Sequence, residues 1–213
     1  MKRIEIVLPG KRKDFQKDGY HYTSPSCGCA VFLESDNKTK IMYDTGAFGY
    51  EKTLIKNLKK INVDPLDIDF VILSHGHMDH YANIHIFKNA KLIQDRWLID
   101  LKTGDMINFH RKFDNIPGFN VTDLEIFYTP GHHDECISVK TKFKDKTWVI
   151  AGDAVKPRIV HKGKISLSYQ NPKLYLKNMI KIAKIADVII GGEDGIIKGK
   201  KLETFKKELF HLI

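Results

Sequence analysis

The residues of this chain that are best suited to chemistry lie in the segment 74–80, directly after the apolar run 70–73. The segment reads Ser-His-Gly-His-Met-Asp-His, which places three imidazoles and a carboxylate within a few residues. Such donors suit Zn(II), Fe(II), Mn(II) or Co(II), and they exceed what one tetrahedral ion uses. A short His-rich tract can also bind metal adventitiously. The spacing of these donors, with a strand before them and a helix-forming stretch after them, predicts a specific metal site with two adjacent ions.

Metal-binding side chains follow three further apolar runs of the sequence. The run 125–128 leads to His132 and His133, the run 147–150 leads to Asp153, and the run 187–190 leads to Glu193 and Asp194. In sheets packed by helices, ligands gather beyond the strand ends, on loops that the rigid scaffold holds. We therefore expect four strand ends to converge on one site.

These motifs resemble the metallo-β-lactamase-fold hydrolases. The matching elements are His-x-His-x-Asp-His at 75–80, Tyr-Asp-Thr-Gly at 43–46, Thr-Pro-Gly-His at 129–132, Ala-Gly-Asp at 151–153 and the late strand that ends at Gly192 and Glu193. They occur in the family's order and span residues 30–194. The segments 79–84 and 132–139 look like the small, single-domain branch related to glyoxalase II.

The resemblance implies a set of metal ligands. Three of them would hold the first ion: His75, His77 and His132. Asp79 and His80 would hold the second ion, and Asp153 would bridge both. Two divalent ions are thus expected, with zinc as the first choice and iron or manganese as alternatives.

The chain departs from the family at its last ligand, which is normally a histidine. The aligned position here is Glu193. A carboxylate can bind a divalent ion and would tilt the second site toward iron or manganese. The alternative is that Glu193 points to solvent and that the second ion is weakly held or absent.

The family resemblance implies hydrolysis by a metal-bound hydroxide, with Asp153 and Asp79 as catalytic residues. Asp79 could also carry a proton to the leaving group. Lys156 and Arg158 follow Asp153 on the same loop and could bind a carboxylate or phosphate of the substrate. Their alternative is an ordinary solvated loop. His133 is a further candidate for substrate binding. We also expect three other residues to line the cleft: His21, His161 and Tyr169.

Three functional classes are consistent with these residues. The first is hydrolysis of a small thioester, ester or lactone, which the resemblance to glyoxalase II favours. The second is a nuclease or phosphodiesterase, which the net charge of +9 supports. The third is a repurposed, non-catalytic metal-binding protein. Because the lysines are spread along the chain, the charge indicates solvated faces more than a polyanion site.

Length and composition predict one domain that spans residues 1–213. With 42% hydrophobic residues, the chain can bury one sizeable core. Neither a signal peptide nor an apolar run of membrane-spanning length is evident, so we expect a cytoplasmic protein with a small-molecule, possibly anionic, substrate. The three cysteines fit no disulfide framework. The sequence does not decide whether the chain forms a homo-oligomer.

The coarse pattern of the sequence alternates between strands and helices. Strands are predicted near residues 3–8, 28–34, 40–43, 70–73, 91–94, 125–128, 136–142, 147–151 and 187–190. Helices are predicted near residues 50–61, 81–87, 172–185 and 202–212. Together with the resemblance, this pattern implies an α/β fold, a four-layer α/β/β/α metallo-β-lactamase-like sandwich.

Overall fold

The computed structural model describes residues 1–161, 164–165 and 171–212. Its strands are, in chain order, β1 (Arg3–Leu8), β2 (Lys11–Lys17), β3 (Tyr20–Cys27), β4 (Ala30–Glu34), β5 (Lys40–Tyr43), β6 (Phe70–Ile72), β7 (Lys91–Gln94), β8 (Trp97–Asp100), β9 (Met106–Asn108), β10 (Leu124–Tyr128), β11 (Ile137–Phe143), β12 (Lys146–Gly152), β13 (Val160–His161), β14 (Lys164–Ile165), β15 (Val188–Gly191) and β16 (Gly195–Lys198). The helices are α1 (Glu51–Lys60), α2 (Met78–Tyr81), α3 (Pro172–Ile185) and α4 (Lys200–Phe210).

Two sheets form the centre of the molecule. The first has the strand order β1-β4-β5-β6-β7-β8-β9, and the second has the order β10-β11-β12-β15-β16. Successive side chains of a strand point to opposite faces of the sheet. Apolar side chains on both faces of each sheet are buried here. In β4, for example, Val31 and Leu33 pack between the sheets, whereas Ala30 and Phe32 pack on the opposite side.

Three apolar layers follow from this alternation. The inner layer joins the two sheets and includes Tyr43 and Ile150. The second layer lies between the first sheet and α1, which buries Leu54 and Leu58. The third lies between the second sheet and helices α3 and α4. The predicted α/β/β/α sandwich is therefore confirmed.

The strand directions bring the relevant loops to one edge. Strand β6 runs parallel to β5 and β7, and β12 runs parallel to β15. Strand β10 points the same way as β12, because both are antiparallel to β11. The backbone N–H of Ile137 donates to the carbonyl oxygen of Ser74 at 2.9 Å, which ties the end of β6 to the second sheet.

The structure differs from the sequence-based expectation in one helix and in several strands. The predicted helix near 81–87 is instead the short helix α2 followed by a 3₁₀ turn at Ile84–Ile86. Residues 17–22 form the turn of the β2–β3 hairpin and its flanking residues. Of the strands in the described part of the chain, seven were not predicted: β2, β3, β8, β9, β13, β14 and β16. Within the described ranges, no helix is long and apolar enough to cross a membrane.

Candidate metal centre

A buried carboxylate fixes the start of the histidine segment. Asp44 follows β5 in the left-handed backbone region, with φ of 55°, which Asp and Asn tolerate better than most residues. Its Oδ1 accepts the backbone N–H of Ser74 at 2.7 Å, and its Oδ2 accepts the Ser74 hydroxyl at 2.7 Å. Ser74 Oγ lies in turn 2.9 Å from His75 Nδ1. The chain beyond β6 is thus oriented by a group from the neighbouring strand.

Four side chains converge beyond the ends of β6, β10 and β12. One ligand atom each from His75, His77, His132 and Asp153 lies within 4.8 Å of all the others. His77 Nδ1 is 2.8 Å from His75 Nε2 and 3.1 Å from His132 Nε2. Asp153 Oδ2 is 3.2 Å from His132 Nε2 and 3.8 Å from His75 Nε2.

This donor set fits one divalent ion. Ligand atoms about 2.0–2.2 Å from a tetrahedral ion are about 3.3–3.6 Å from one another, and the four separations given above, from 2.8 to 3.8 Å, lie on both sides of that range. The ring nitrogens cannot satisfy one another, because His77 Nδ1 faces two of them and carries at most one proton. A metal cation bound between these ring nitrogens would give each of them a partner.

The protonation states also suit metal binding. Burial, and next the charge of His132, lower the pKa of His77 to about 4. Burial likewise lowers the pKa values of His75 and His132. Burial opposes ionisation of Asp153, but Lys156 and His80 hold its pKa well below the ordinary value. Neutral imidazoles and an ionised carboxylate are the forms that bind metals.

Two of the residues assigned to a second ion lie beside this group. His80 Nδ1 is 2.7 Å from Asp44 Oδ2, and His80 Nε2 is 3.4 Å from Asp153 Oδ1. Burial alone would lower the pKa of His80, but Asp153 and Asp44 raise it well above its ordinary value. Asp79 is half-buried, and its Oδ2 accepts the hydroxyl of Ser26 at 2.8 Å. Their binding of a second ion stays a prediction.

Glu193 is buried, at 5% exposure, and contacts three basic side chains. Arg12 Nη1 donates to its Oε1 at 2.9 Å. Its Oε2 forms ion pairs with Arg158 and with Lys156, whose Nζ is 3.2 Å away. Glu193 thus does not point to solvent, and Lys156, at 2% exposure, does not lie on a solvated loop.

The other candidates lie around this centre. The His133 ring is 5.6 Å from the His77 ring between centroids, and its Nδ1 is 3.7 Å from Glu135 Oε1. The side chain of Arg158 is 31% exposed, and its Nη1 also donates to Asp194 Oδ2 at 3.1 Å. His21 is exposed on β3 and faces Gln16 and Asp14 of the hairpin. Two of the expected cleft residues cannot be placed: Tyr169 lies outside the described residues, as does the side chain of His161.

Two participants were not assigned a role from sequence. Asp44 belongs to the motif at 43–46, but its bonds to Ser74 and His80 depend on the pairing of β5 with β6. Arg12 lies 181 residues before Glu193 on a strand whose residues are all exposed. No local pattern marks either contact.

Comparison with known proteins identifies the family. The metallo-β-lactamase superfamily model matches residues 27–97. A "probable metallo-hydrolase" of Methanocaldococcus jannaschii is 35% identical over 164 residues, which cover 76% of this chain and 74% of the relative. The chain belongs to the metallo-β-lactamase superfamily.

Solved structures share the fold. A metallo-β-lactamase homologue of Thermotoga maritima has a TM-score of 0.65 at 18% identity, over 92% of this chain and 98% of the other. A quorum-quenching N-acyl homoserine lactone lactonase has a TM-score of 0.58 at 19% identity, over 86% and 87% of the two chains. At these identities the likeness shows the fold alone.

Proposed function

We propose that this metallo-β-lactamase-superfamily hydrolase cleaves a small thioester, ester or lactone at a divalent metal centre. The observation that carries the proposal is the convergence of three imidazoles and one carboxylate: His75, His77, His132 and Asp153. Such a donor set suits zinc, with manganese or iron as alternatives. The lactonase neighbour is consistent with a lactone substrate. Binding of a second ion, a cytoplasmic location, the glyoxalase II-like assignment and self-association stay predictions.

The mechanism assigns separate tasks to the residues of the site. When bound, a divalent metal lowers the pKa of a water toward about 7 and polarises the oxygen of the scissile group. Asp44 and Ser74 hold the imidazole of His75 in place through the bonds described above. Asp153 provides the negative charge among the three imidazoles. No serine or cysteine nucleophile is required.

Proton transfer and substrate contact are assigned to groups at the rim of the centre. Asp79 is half-buried and fixed through Oδ2 by Ser26, so its Oδ1 can carry a proton to the leaving group. His133, close to the His77 ring, is positioned to contact the substrate. The side chain of Arg158 is partly exposed and could attract an anionic group, although Glu193 and Asp194 already pair with it.

The alternative is hydrolysis of a phosphodiester, which the β2–β3 hairpin favours. All residues of β2 are exposed, and four of them are basic: Lys11, Arg12, Lys13 and Lys17. Phe15 stacks on Tyr22, with ring centroids 5.3 Å apart and planes 8° from parallel. A basic surface that carries aromatic rings is typical of nucleic-acid binding.

A substrate panel distinguishes these functions. Chelator-treated protein is reloaded with zinc, manganese or iron and assayed on thioesters, lactones and phosphodiesters. We expect the first two classes to be hydrolysed, and faster turnover of phosphodiesters would favour the alternative. His77→Ala should abolish turnover and lower the metal content. His85→Ala is the control, because His85 is exposed and lies 3.1 Å from Glu51. Equal effects of the two substitutions would contradict the assignment.

A further inference from the structure

A buried lysine lies on the side of the centre where a second metal ion would be expected. Lys156 follows β12 and precedes the 3₁₀ turn Pro157–Ile159. Its Nζ is 2.5 Å from Asp153 Oδ2 and 3.2 Å from Glu193 Oε2. Lysine is almost never fully buried unless it is paired, and here it is paired with two carboxylates. Both of these carboxylates were assigned to the second ion.

Both oxygens of Glu193 are already paired with basic side chains without a metal. Glu193 supplies one negative charge, and the basic groups of Arg12, Lys156 and Arg158 surround its two oxygens. A divalent ion bound to Glu193 would lie next to these three cations, which also pair with Asp14, Asp153 and Asp194, and each cation would repel it. Such repulsion is strong where the effective dielectric constant is low. Glu193 is therefore a partner for fixed cations and not a ready metal ligand.

The remaining groups of the expected second site are partly engaged as well. Asp79 accepts a hydrogen bond from Ser26. His80 lies between two carboxylates, with Nδ1 near Asp44 and Nε2 near Asp153. Asp153 Oδ2 faces the imidazoles of His75 and His132 as well as Lys156. Asp153 can thus connect one metal ion with one ammonium group.

We infer that Lys156 takes the place of the second metal ion, so that the chain binds one ion, at His75, His77 and His132 with Asp153. The inference rests on the proposed function only for this first ion. Lys156 then acts as a positioning residue, which holds the Asp153 carboxylate beside the reacting centre. Glu193 and Arg158 keep this lysine in place.

The metal count of the loaded protein tests the inference directly. Chelator-treated protein is titrated with zinc, and the bound ions are counted by native mass spectrometry and by elemental analysis after gel filtration. We expect one ion per chain for the wild type and for Lys156→Arg, which keeps the positive charge. Lys156→Met should strengthen binding of a second ion by about 10–100-fold, the range that changes beside metal ligands produce. Lys140→Met, at an exposed pair with Glu125, is the control and should bind one ion.

The outcomes separate the inference from the proposed function. Two ions of similar affinity in the wild type would overturn the inference and leave the hydrolase proposal intact. No ion in the wild type would contradict the proposed function itself. If Lys156→Met does not fold, anomalous scattering from wild-type crystals decides: one peak at the three histidines supports the inference, and a second peak beside His80 overturns it.

Discussion

Replacement of Asp44 should destabilise the protein even without metal. This carboxylate is fully buried and accepts three hydrogen bonds, from the backbone N–H of Ser74, the hydroxyl of Ser74 and Nδ1 of His80, each at 2.7 Å. Asp44→Ala leaves these three donors without their acceptor in a site closed to solvent. Asp44→Asn keeps one acceptor oxygen but loses the charge.

The expected cost follows from these bonds. A buried donor that loses its partner costs about 1–3 kcal/mol, and breaking a buried ion pair by removing one partner costs about 3–5 kcal/mol. We therefore expect Asp44→Ala to lower the free energy of unfolding by about 3–5 kcal/mol. For a chain of this size that is a fall of about 6–20 °C in Tm. Asp44→Asn should lose about 1.5–3 kcal/mol, the range for a hydrogen bond to a charged group.

Urea unfolding of the chelator-treated proteins measures this effect without a contribution from metal binding. Asp114→Ala is the matched control, because Asp114 is exposed, and it should change the free energy of unfolding by less than about 0.5 kcal/mol. If both Asp44 variants unfold at the same urea concentration as the wild type, the hydrogen bonds of Asp44 do not stabilise the fold.

Two further predictions concern close packing and thiols. In Gly192→Ala the added Cβ would lie 2.3 Å from Asp153 Oδ1, so we expect a loss of about 1–3 kcal/mol and weaker metal binding. Gly76→Ala meets only the flexible end of Glu135 below 3 Å and should be better tolerated in urea unfolding; equal losses would refute the packing argument. Burial raises the pKa of Cys29 to about 12 and also raises those of the other two cysteines. A thiol reagent at pH 8 should therefore react only after unfolding, and fast reaction of the native protein would be inconsistent with this. The three thiols concerned are Cys27, Cys29 and Cys136.

The sequence predicted most of the sheet framework because strand formation leaves a local pattern. Strand β4 is apolar from Ala30 to Leu33, as a strand that is buried on both faces should be, and it was predicted close to its observed bounds. Helix α3 begins as expected after Asn171, whose side chain accepts the N–H of Leu174. The four donor-bearing loops were located because each follows an apolar run.

The contacts that shape the rim of the site were not predictable in this way. Strand β2 has no alternation of buried and exposed residues, since all of them face solvent, so nothing in its sequence marks a strand. Lys156 is charged, and a charged loop residue is normally expected in water. Its burial depends on Asp153 and Glu193, which approach only when β12 and β15 pair. Long-range charge pairing of this kind has no signature in a single sequence.

The most direct test of the metal-hydrolase account is a titration that follows metal binding and hydrolysis on the same sample. Chelator-treated protein should show no turnover of a thioester or lactone that it hydrolyses when loaded. Turnover should then rise in proportion to the ion bound at His75, His77 and His132 and reach its maximum when that site is full. Full activity of the metal-free protein, or occupancy of the site without any gain in turnover, would contradict the account.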